Sequence, residues 1–447
     1  MKTKFSGFLL LFSFIAFIYL NSCKQNEAEN IIQPVKVDGK ARFIIGNYYN
    51  PQDLAELKDF AANGFNLVRC APNKESLDLV RKAGLYGWVN TGSSVDFTAD
   101  KKVRKEKLAE LINRLKDHPA LAVWEVPDEA LWAISYPHLD RLFYSKKWTK
   151  ERQDSVLRVL NETIRQKAQG YAEGCAELRR LDPLHPIWMN HAPRNSTEHL
   201  RLFSQAADII GCDIYPERQG FTAHSELTDQ SLTATGGYTD LMQAAAPAKP
   251  VWMVLQAFSW ELLKNPLPEK YDVKQFPSYK HSRIMAWDAI LHGAKGILYW
   301  GSYKVSTKSL FWKSILGVTK EIAALEPFLI APDAAENIKI DPLQYTHSIK
   351  TRVAYMLKHY KNDYLLAVMQ EDLGQPLNIS GLDFLEGKTL YELTTDRSYV
   401  VNNGTIRLWF AKEPHVLCTS RKYDVVHESQ FPLVWDKEDN YPLKEIE

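Results

Sequence analysis

Two carboxylic acids stand side by side, Asp128 and Glu129, just past the apolar run Leu121–Val126. Neighbouring carboxyls resist carrying two charges at once, so such a pair tends to keep one proton towards neutral pH. A carboxyl still protonated near neutrality can serve as a general acid. The same pair also suits the first turn of a helix, where negative charge is favoured, and the two residues alone leave both readings open. A third carboxyl, Asp213, closes a second apolar run and leads into Tyr215-Pro216, which also fits an ordinary strand-ending turn. Gln256 follows the run Val251–Leu255, and Trp300 closes the run that starts at Gly296. Arg69 and Asn190 end two more runs and could contact a polar ligand; Arg69 equally fits one half of a structural salt bridge. Trp124 precedes the carboxyl pair and could wall it from water.

Most of these residues share a position, the end of a strand-like run. The runs Phe43–Gly46, Phe65–Cys70, Tyr86–Asn90, Leu121–Val126, Pro186–Asn190, Asp208–Ile214, Val251–Leu255 and Gly296–Trp300 have strand length. Helical periods separate them over Leu54–Ala62, Glu75–Ala83, Lys102–Lys116, Asn161–Leu181, Arg283–His292 and Thr319–Leu325. Eight strands alternating with helices predict an α/β architecture, a (β/α)8 TIM barrel over residues 41–332. A doubly wound open sheet is disfavoured because no glycine-rich phosphate turn follows the first strand. In a barrel the C-terminal strand ends form the functional face, where the residues above collect. Beyond residue 336 the rhythm changes to short alternating strands over Val353–Lys358, Tyr364–Met369, Lys388–Leu393 and Thr405–Phe410. Turn signals at Lys361-Asn362-Asp363 and Asn402-Asn403-Gly404 complete a small C-terminal all-β sandwich over 337–425.

With the strand ends placed, a resemblance becomes specific. The stretch His118-Pro119-Ala120 through Trp124-Glu125-Val126-Pro127-Asp128-Glu129 resembles the HPA…W-E-x-x-N-E stretch on the fourth strand of the retaining (β/α)8-barrel clan of glycoside hydrolases, cellulase- and mannanase-like. The resemblance implies that Glu129 is the general acid/base, which requires a raised pKa. It also matches Tyr215 to the tyrosine of the clan's H-x-Y-P on the sixth strand. Trp300 matches the tryptophan that floors the sugar subsite after the eighth, although a barrel-packing aromatic fits there too. Three positions depart from the pattern: Asp128 replaces Asn, Asp213 replaces His, and Gln256 replaces the nucleophilic Glu. A neutral amide cannot form a glycosyl-enzyme ester. Glu261, five residues on, could serve only if its loop folded back.

The missing nucleophile has three readings. The substrate's own 2-acetamido oxygen could attack, with Asp128 orienting it and Glu129 as the acid, similar to the Asp-Glu pair of barrel glycosidases for 2-acetamido sugars; Tyr215 and Trp300 would then flank the acetamido group. Asp213 could instead be the base of an inverting enzyme, which needs a carboxyl separation of roughly 6.5–9.5 Å. Or the site is inactive and the chain is a carbohydrate-binding lipoprotein. The expected function is cleavage of O-glycosidic bonds in oligo- or polysaccharides. Asp128, Glu129 and Asp213 would be catalytic, and Tyr215, Gln256, Trp300, Trp124, Arg69 and Asn190 would bind substrate.

Composition narrows the partners. Lys and Arg total 55 against 54 Asp and Glu, a net charge of +1 that argues against a nucleic-acid binder. Aromatic residues make up 12% of the chain, which suits either flat sugar rings or large cores. Five cysteines without a CxxC pair and twelve histidines without ligand-like spacing predict neither a disulfide scaffold nor a metal site, and no cofactor is expected. At the N-terminus Lys2 and Lys4 precede the apolar stretch Phe8–Leu20, too short to span a bilayer. Leu20-Asn21-Ser22-Cys23 resembles a bacterial lipobox, which implies cleavage before Cys23 and lipid attachment to its thiol. The expectation is a signal peptide over 1–22, a polar tether over 23–40 and an exported, membrane-anchored lipoprotein. A plain signal peptide with an incidental cysteine is the alternative.

Overall fold

The computed structural model describes residues 34–144, 148–217, 225–263, 276–343, 352–372, 374–409 and 413–431. The expected export signal, Cys23 and most of the tether lie outside the described residues. The stretch read as tether gives way to structure before its expected end. Val35–Val37 and Lys40–Arg42 pair as an antiparallel hairpin, with Val35 and Val37 buried. Asp38 and Gly39 both take positive φ, 51° and 71°, the conformation that an Asp-Gly turn supplies for a two-residue hairpin.

Eight parallel strands then close on themselves: β1 (Ile44–Asn47), β2 (Leu67–Cys70), β3 (Tyr86–Asn90), β4 (Leu121–Glu125), β5 (Ile187–His191), β6 (Ile209–Asp213), β7 (Val251–Gln256) and β8 (Gly296–Trp300). Each pairs with its sequence neighbour, and β8 returns to β1 through Gly296–Ile44 and Tyr299–Asn47. The expected (β/α)8 barrel is therefore the fold. Its strands read as near-continuous apolar runs because both faces of a parallel sheet are covered.

Inside the barrel, large aromatic side chains occupy the space. Trp88 and Trp188 meet edge to face at 5.6 Å, Trp188 and Trp252 lie 5.5 Å apart, and Tyr48 contacts both Trp88 and Trp188. Glycines in neighbouring strands make the room. A Cβ at Gly296 would stand 2.8 Å from Trp252 Cδ1, and one at Gly211 would strike the Trp252 carbonyl. Trp88, Trp124, Trp188, Trp252, Trp287 and Trp312 are all less than 2% exposed. Much of the tryptophan content thus fills core and leaves fewer rings for a ligand.

The surrounding helices are α1 (Leu54–Ala62), α2 (Lys74–Lys82), α3 (Lys101–Leu115), α4 (Ala130–Tyr144), α5 (Lys150–Leu181), α6 (Thr197–Ser204), α7 (Ala234–Ala245), α8 (Tyr279–Leu291), α9 (Leu310–Ala324) and the short α10 (Glu326–Leu329). Side-chain oxygens of Asp53, Asn73, Thr149, Ser196, Ser278 and Ser309 accept from first-turn N–H groups and fix where six of them start. Sequence periodicity did not foresee α4, α6 and α7, and it started α5 and α9 late. In α4 the cause is Pro137, which lacks an N–H and normally ends a helix. In α5 the first turns carry their apolar residues outward, with Leu157 and Val159 exposed.

After α10 the described residues form eight antiparallel strands: β9 (Lys339–Pro342), β10 (Val353–Tyr360), β11 (Asp363–Gln370), β12 (Leu377–Ser380), β13 (Thr389–Glu392), β14 (Ser398–Val400), β15 (Thr405–Leu408) and β16 (His415–Cys418). They form a three-stranded sheet β9-β12-β15 and a five-stranded sheet β10-β11-β16-β13-β14. Period-two alternation decides what each face buries. Leu366, Val368 and Leu417 join Leu377, Ile379 and Leu408 between the two sheets. Leu365, Ala367, Val416 and Cys418, one residue out of step, belong to the core shared with the barrel. At that junction Arg283 of α8 is clamped by Glu321 of α9 through two 2.8 Å bonds, while its third nitrogen donates to the Pro414 carbonyl at 2.7 Å.

Candidate active site

The C-terminal strand ends converge on a cleft of about 200 Å³ lined by Glu129, Trp132, Arg194, Asp213, Tyr215, Trp260 and Trp300. That is smaller than the roughly 300–1,000 Å³ typical of sites for drug-sized ligands; the described walls suit one ring rather than a chain.

Asp128 and Glu129 lie just ahead of α4, whose first turn holds no acidic residue. The pair therefore does not serve as helix-internal charge. Glu129 has φ 49°, the left-handed region that side-chain-bearing residues avoid. Such strain costs on the order of 1–3 kcal/mol and persists where the surroundings over-determine it. Here the β4 end and α4, joined by the Ala133 N–H to Glu129 carbonyl bond of 3.0 Å, fix the backbone. The Glu129 carboxyl hydrogen-bonds Asp213 at the end of β6. Burial raises the Glu129 pKa, the bond from Asp213 lowers it, and the Asp128 charge raises it again. Asp213 is only 2% exposed, and burial with the charges of Glu129 and Asp128 pushes its pKa far up. The two carboxyls thus hold one proton between them well above the ordinary carboxylate range.

Asp128 is held separately. Asn190 Nδ2, at the end of β5, donates to its Oδ1 at 3.0 Å, and the Tyr48 hydroxyl donates to the same atom at 3.4 Å. Beneath it lies Glu125, a fully buried carboxyl that sequence reasoning passed over. Asn90 Nδ2 donates to its Oε2 at 2.8 Å and Trp88 Nε1 at 3.2 Å, and Arg69 Nε stands 3.4 Å away. Burial, reinforced by the Asp128 charge, pushes the Glu125 pKa to about 8. Arg69 is therefore engaged in an ion pair below the cleft and packs against the Tyr48 ring at 5.5 Å.

The aromatic wall is built by β6, β7 and β8 together. Tyr215 stacks on Trp300 at 5.4 Å with 23° between planes, and Phe258 meets both edge to face at 5.0 Å. Trp260 Nε1 donates to the Tyr215 carbonyl at 3.2 Å.

Besides Arg69, two expected contacts are not in the cleft. Trp124 precedes the inward Glu125 on β4, so alternation turns its ring outward, where Nε1 donates to Asp182 at 2.7 Å. It cannot wall Glu129. Gln256 is fully buried and consumed by backbone: its Oε1 accepts from Glu217 N–H, and its Nε2 donates to the carbonyls of Glu217 and Phe258, each at 3.0 Å. An amide alone offers both a donor and an acceptor to that loop. Gln256→Glu should therefore destabilise the fold by about 1–3 kcal/mol, because a carboxylate would face two carbonyls without a proton to give; a thermal melt checks this. The Glu261 side chain lies outside the described residues. Trp132, in the first turn of α4, and Arg194 and Trp260, which follow barrel strands, were missed, although ligand contacts collect at this face.

Among the described residues, one cluster has the spacing to hold a metal ion, Asp288 with His292 and Glu371. It lies at the other end of β8 from Trp300.

No family model and no curated protein matches the sequence. Solved structures do share its fold. A glycoside hydrolase family 5 protein from Bacteroides vulgatus superimposes with a TM-score of 0.54 at 12% identity, over 90% of this chain and 95% of its own. A β-galactosidase from Bacillus circulans sp. alkalophilus gives a TM-score of 0.54 at 10% identity, over 86% of this chain and 100% of its own. A β-galactosidase from the psychrophilic Marinomonas ef1 gives 0.44 at 14% identity, and the match spans 63% of this chain and 60% of that protein.

Proposed function

We propose that this chain is a glycosidase in which Glu129 protonates the departing glycosidic oxygen and Asp128 positions a 2-acetamido group whose oxygen attacks the anomeric carbon. The observation that carries this reading is the carboxyl pair Glu129–Asp213, sharing a proton beside an aromatic wall. A direct hydrogen bond between them leaves no room for the water that an inverting mechanism places between carboxyls roughly 6.5–9.5 Å apart. Gln256 is tied to backbone and carries no nucleophile. Asp128 presents a half-exposed carboxylate fixed at one oxygen, the arrangement needed to hold an amide N–H. That two proteins with this barrel are named as glycoside hydrolases supports the carbohydrate class of substrate.

The test is hydrolysis of aryl 2-acetamido glycosides carrying fluorine on the acetyl group. Fluorine withdraws density from the attacking oxygen, so kcat/KM should fall steeply from acetyl to trifluoroacetyl. A rate indifferent to fluorine rejects the acetamido role. A protein that retains sugars on a column yet hydrolyses none favours the binding reading instead.

The shared proton has a consequence for pH. Glu129 must be protonated to act, and Asp213 keeps a proton available as pH rises. In Asp213→Asn the reservoir is gone, and only the proton of Glu129 itself remains. The alkaline limb of kcat/KM should move to lower pH, because the repulsion between two carboxylates that resists loss of the last proton is gone. An unmoved limb would separate Asp213 from the chemistry.

The N-terminal reading stands as a further part of this proposal: an exported chain lipidated on Cys23. Cys23→Ala should leave the membrane fraction and appear in the soluble one.

A further inference from the structure

At the end of α8, Asp288 and His292 are four residues apart and so share one helix face. Glu371 approaches them from the residue after β11, across the junction between barrel and C-terminal sheets. One oxygen of each carboxylate and one ring nitrogen of His292 lie within 4.8 Å of one another. We propose that these three side chains bind a divalent first-row metal ion that fastens the C-terminal sheets to the barrel.

The surroundings support the three ligands as a metal's second shell does. His292 Nδ1 is bonded to Asp240 Oδ1 at 2.9 Å, which leaves Nε2 pointed towards Glu371 Oε1, 2.6 Å away. A carboxylate on the far nitrogen is how ligating histidines are usually oriented. Glu371 uses its other oxygen for Arg352 Nη1 at 2.9 Å. Asp288 uses Oδ2 for the Thr235 hydroxyl, at 2.8 Å, and for the Gly236 N–H. Its Oδ1 has no hydrogen-bond partner although the side chain is fully buried. A buried carboxylate oxygen left without a partner is costly, and a cation is the partner that would remove the cost. Gly236 lets the α7 backbone come close to the cluster: a Cβ there would stand 2.8 Å from both Asp288 Oδ2 and His292 Nε2. Two carboxylates and one imidazole suit Zn²⁺ or Mn²⁺, with water completing the shell. Histidine spacing alone gave no sign of this site, because its third ligand comes from the C-terminal sheets, 79 residues on.

The competing arrangement is a protonated His292 bridging carboxylates with no metal, and one experiment separates the two. The full chain, stripped with a chelator, is melted with and without added Zn²⁺ or Mn²⁺, and its metal content is measured after dialysis. One equivalent of metal and an upward Tm shift of several degrees are expected, both lost in His292→Ala and in the near-isosteric Asp288→Asn. The chelator should lower Tm without abolishing turnover, since the cleft lies at the opposite end of the barrel. No bound metal and no shift with either ion would overturn the proposal, as would a shift that survives in both variants.

Discussion

Glu129→Gln is expected to lose about 10²–10⁴-fold in kcat on a natural glycoside, the usual worth of general acid catalysis. The amide fills the same volume and can still accept from Asp213, so fold and substrate binding should be kept; melting temperature and KM serve as the controls. The loss should shrink sharply on aryl glycosides with good leaving groups, which depart with little protonic help. That dependence on the leaving group is the diagnostic, because a residue that only positions substrate would cost the same on both. Equal and small losses on natural and activated substrates would remove Glu129 from the role and favour a binding protein. The strain at Glu129 adds weight to its assignment. A residue held at φ 49° without a glycine is an expense to the fold, and the geometry it secures is a carboxyl aimed at Asp213 and the cleft.

Glu321→Ala is expected to destabilise the protein by about 3–5 kcal/mol, the loss seen when one partner of a buried ion pair is removed. On a chain of this size that lowers Tm by about 3–5 °C. Arg283 is 6% exposed. Burial works against its charge, but Glu321 outweighs burial and holds the guanidinium firmly ionised. Without Glu321 the charge would stay, buried with the Pro414 carbonyl and the weaker influence of Glu392. The Trp287 indole N–H, which donates to Glu321 Oε1 at 3.0 Å, would also lose its acceptor. Replacing both partners, Arg283→Met with Glu321→Leu, should recover most of the loss, because an apolar pair carries no desolvation penalty. If the double variant melts no higher than Glu321→Ala, shape rather than charge is what the pair supplies. This measurement is independent of the cleft, so it tests the junction between barrel and sheets without reference to function.

The sequence by itself determined the architecture. A parallel strand covered on both faces must be apolar throughout, so β1 to β8 stand out as runs, and Gly64 and Gly84 punctuate the helices between them. Its strand ends, together with the resemblance to barrel glycoside hydrolases, also marked Asp128, Glu129, Asp213, Tyr215 and Trp300 as candidates. Helix periods failed where a local rule was overridden, at Pro137 inside α4 and over the solvent-facing start of α5.

Only the tertiary structure decided what each of those residues faces. Trp124 and Glu125 are neighbours on one strand, and nothing local says which turns inward; barrel closure chose Glu125. Gln256 looked free to bind substrate because its partner, the Glu217 backbone, lies 39 residues earlier. Asp213 and Glu129 are hydrogen-bonded across strands that no spacing rule connects. The Asp288, His292 and Glu371 cluster joins a barrel helix to a sheet beyond it. In each case the decisive interaction is electrostatic or hydrogen-bonded and acts over a few ångströms. Sequence periodicity reports burial, an average over a whole face, and carries no information about which distant atom completes the bond.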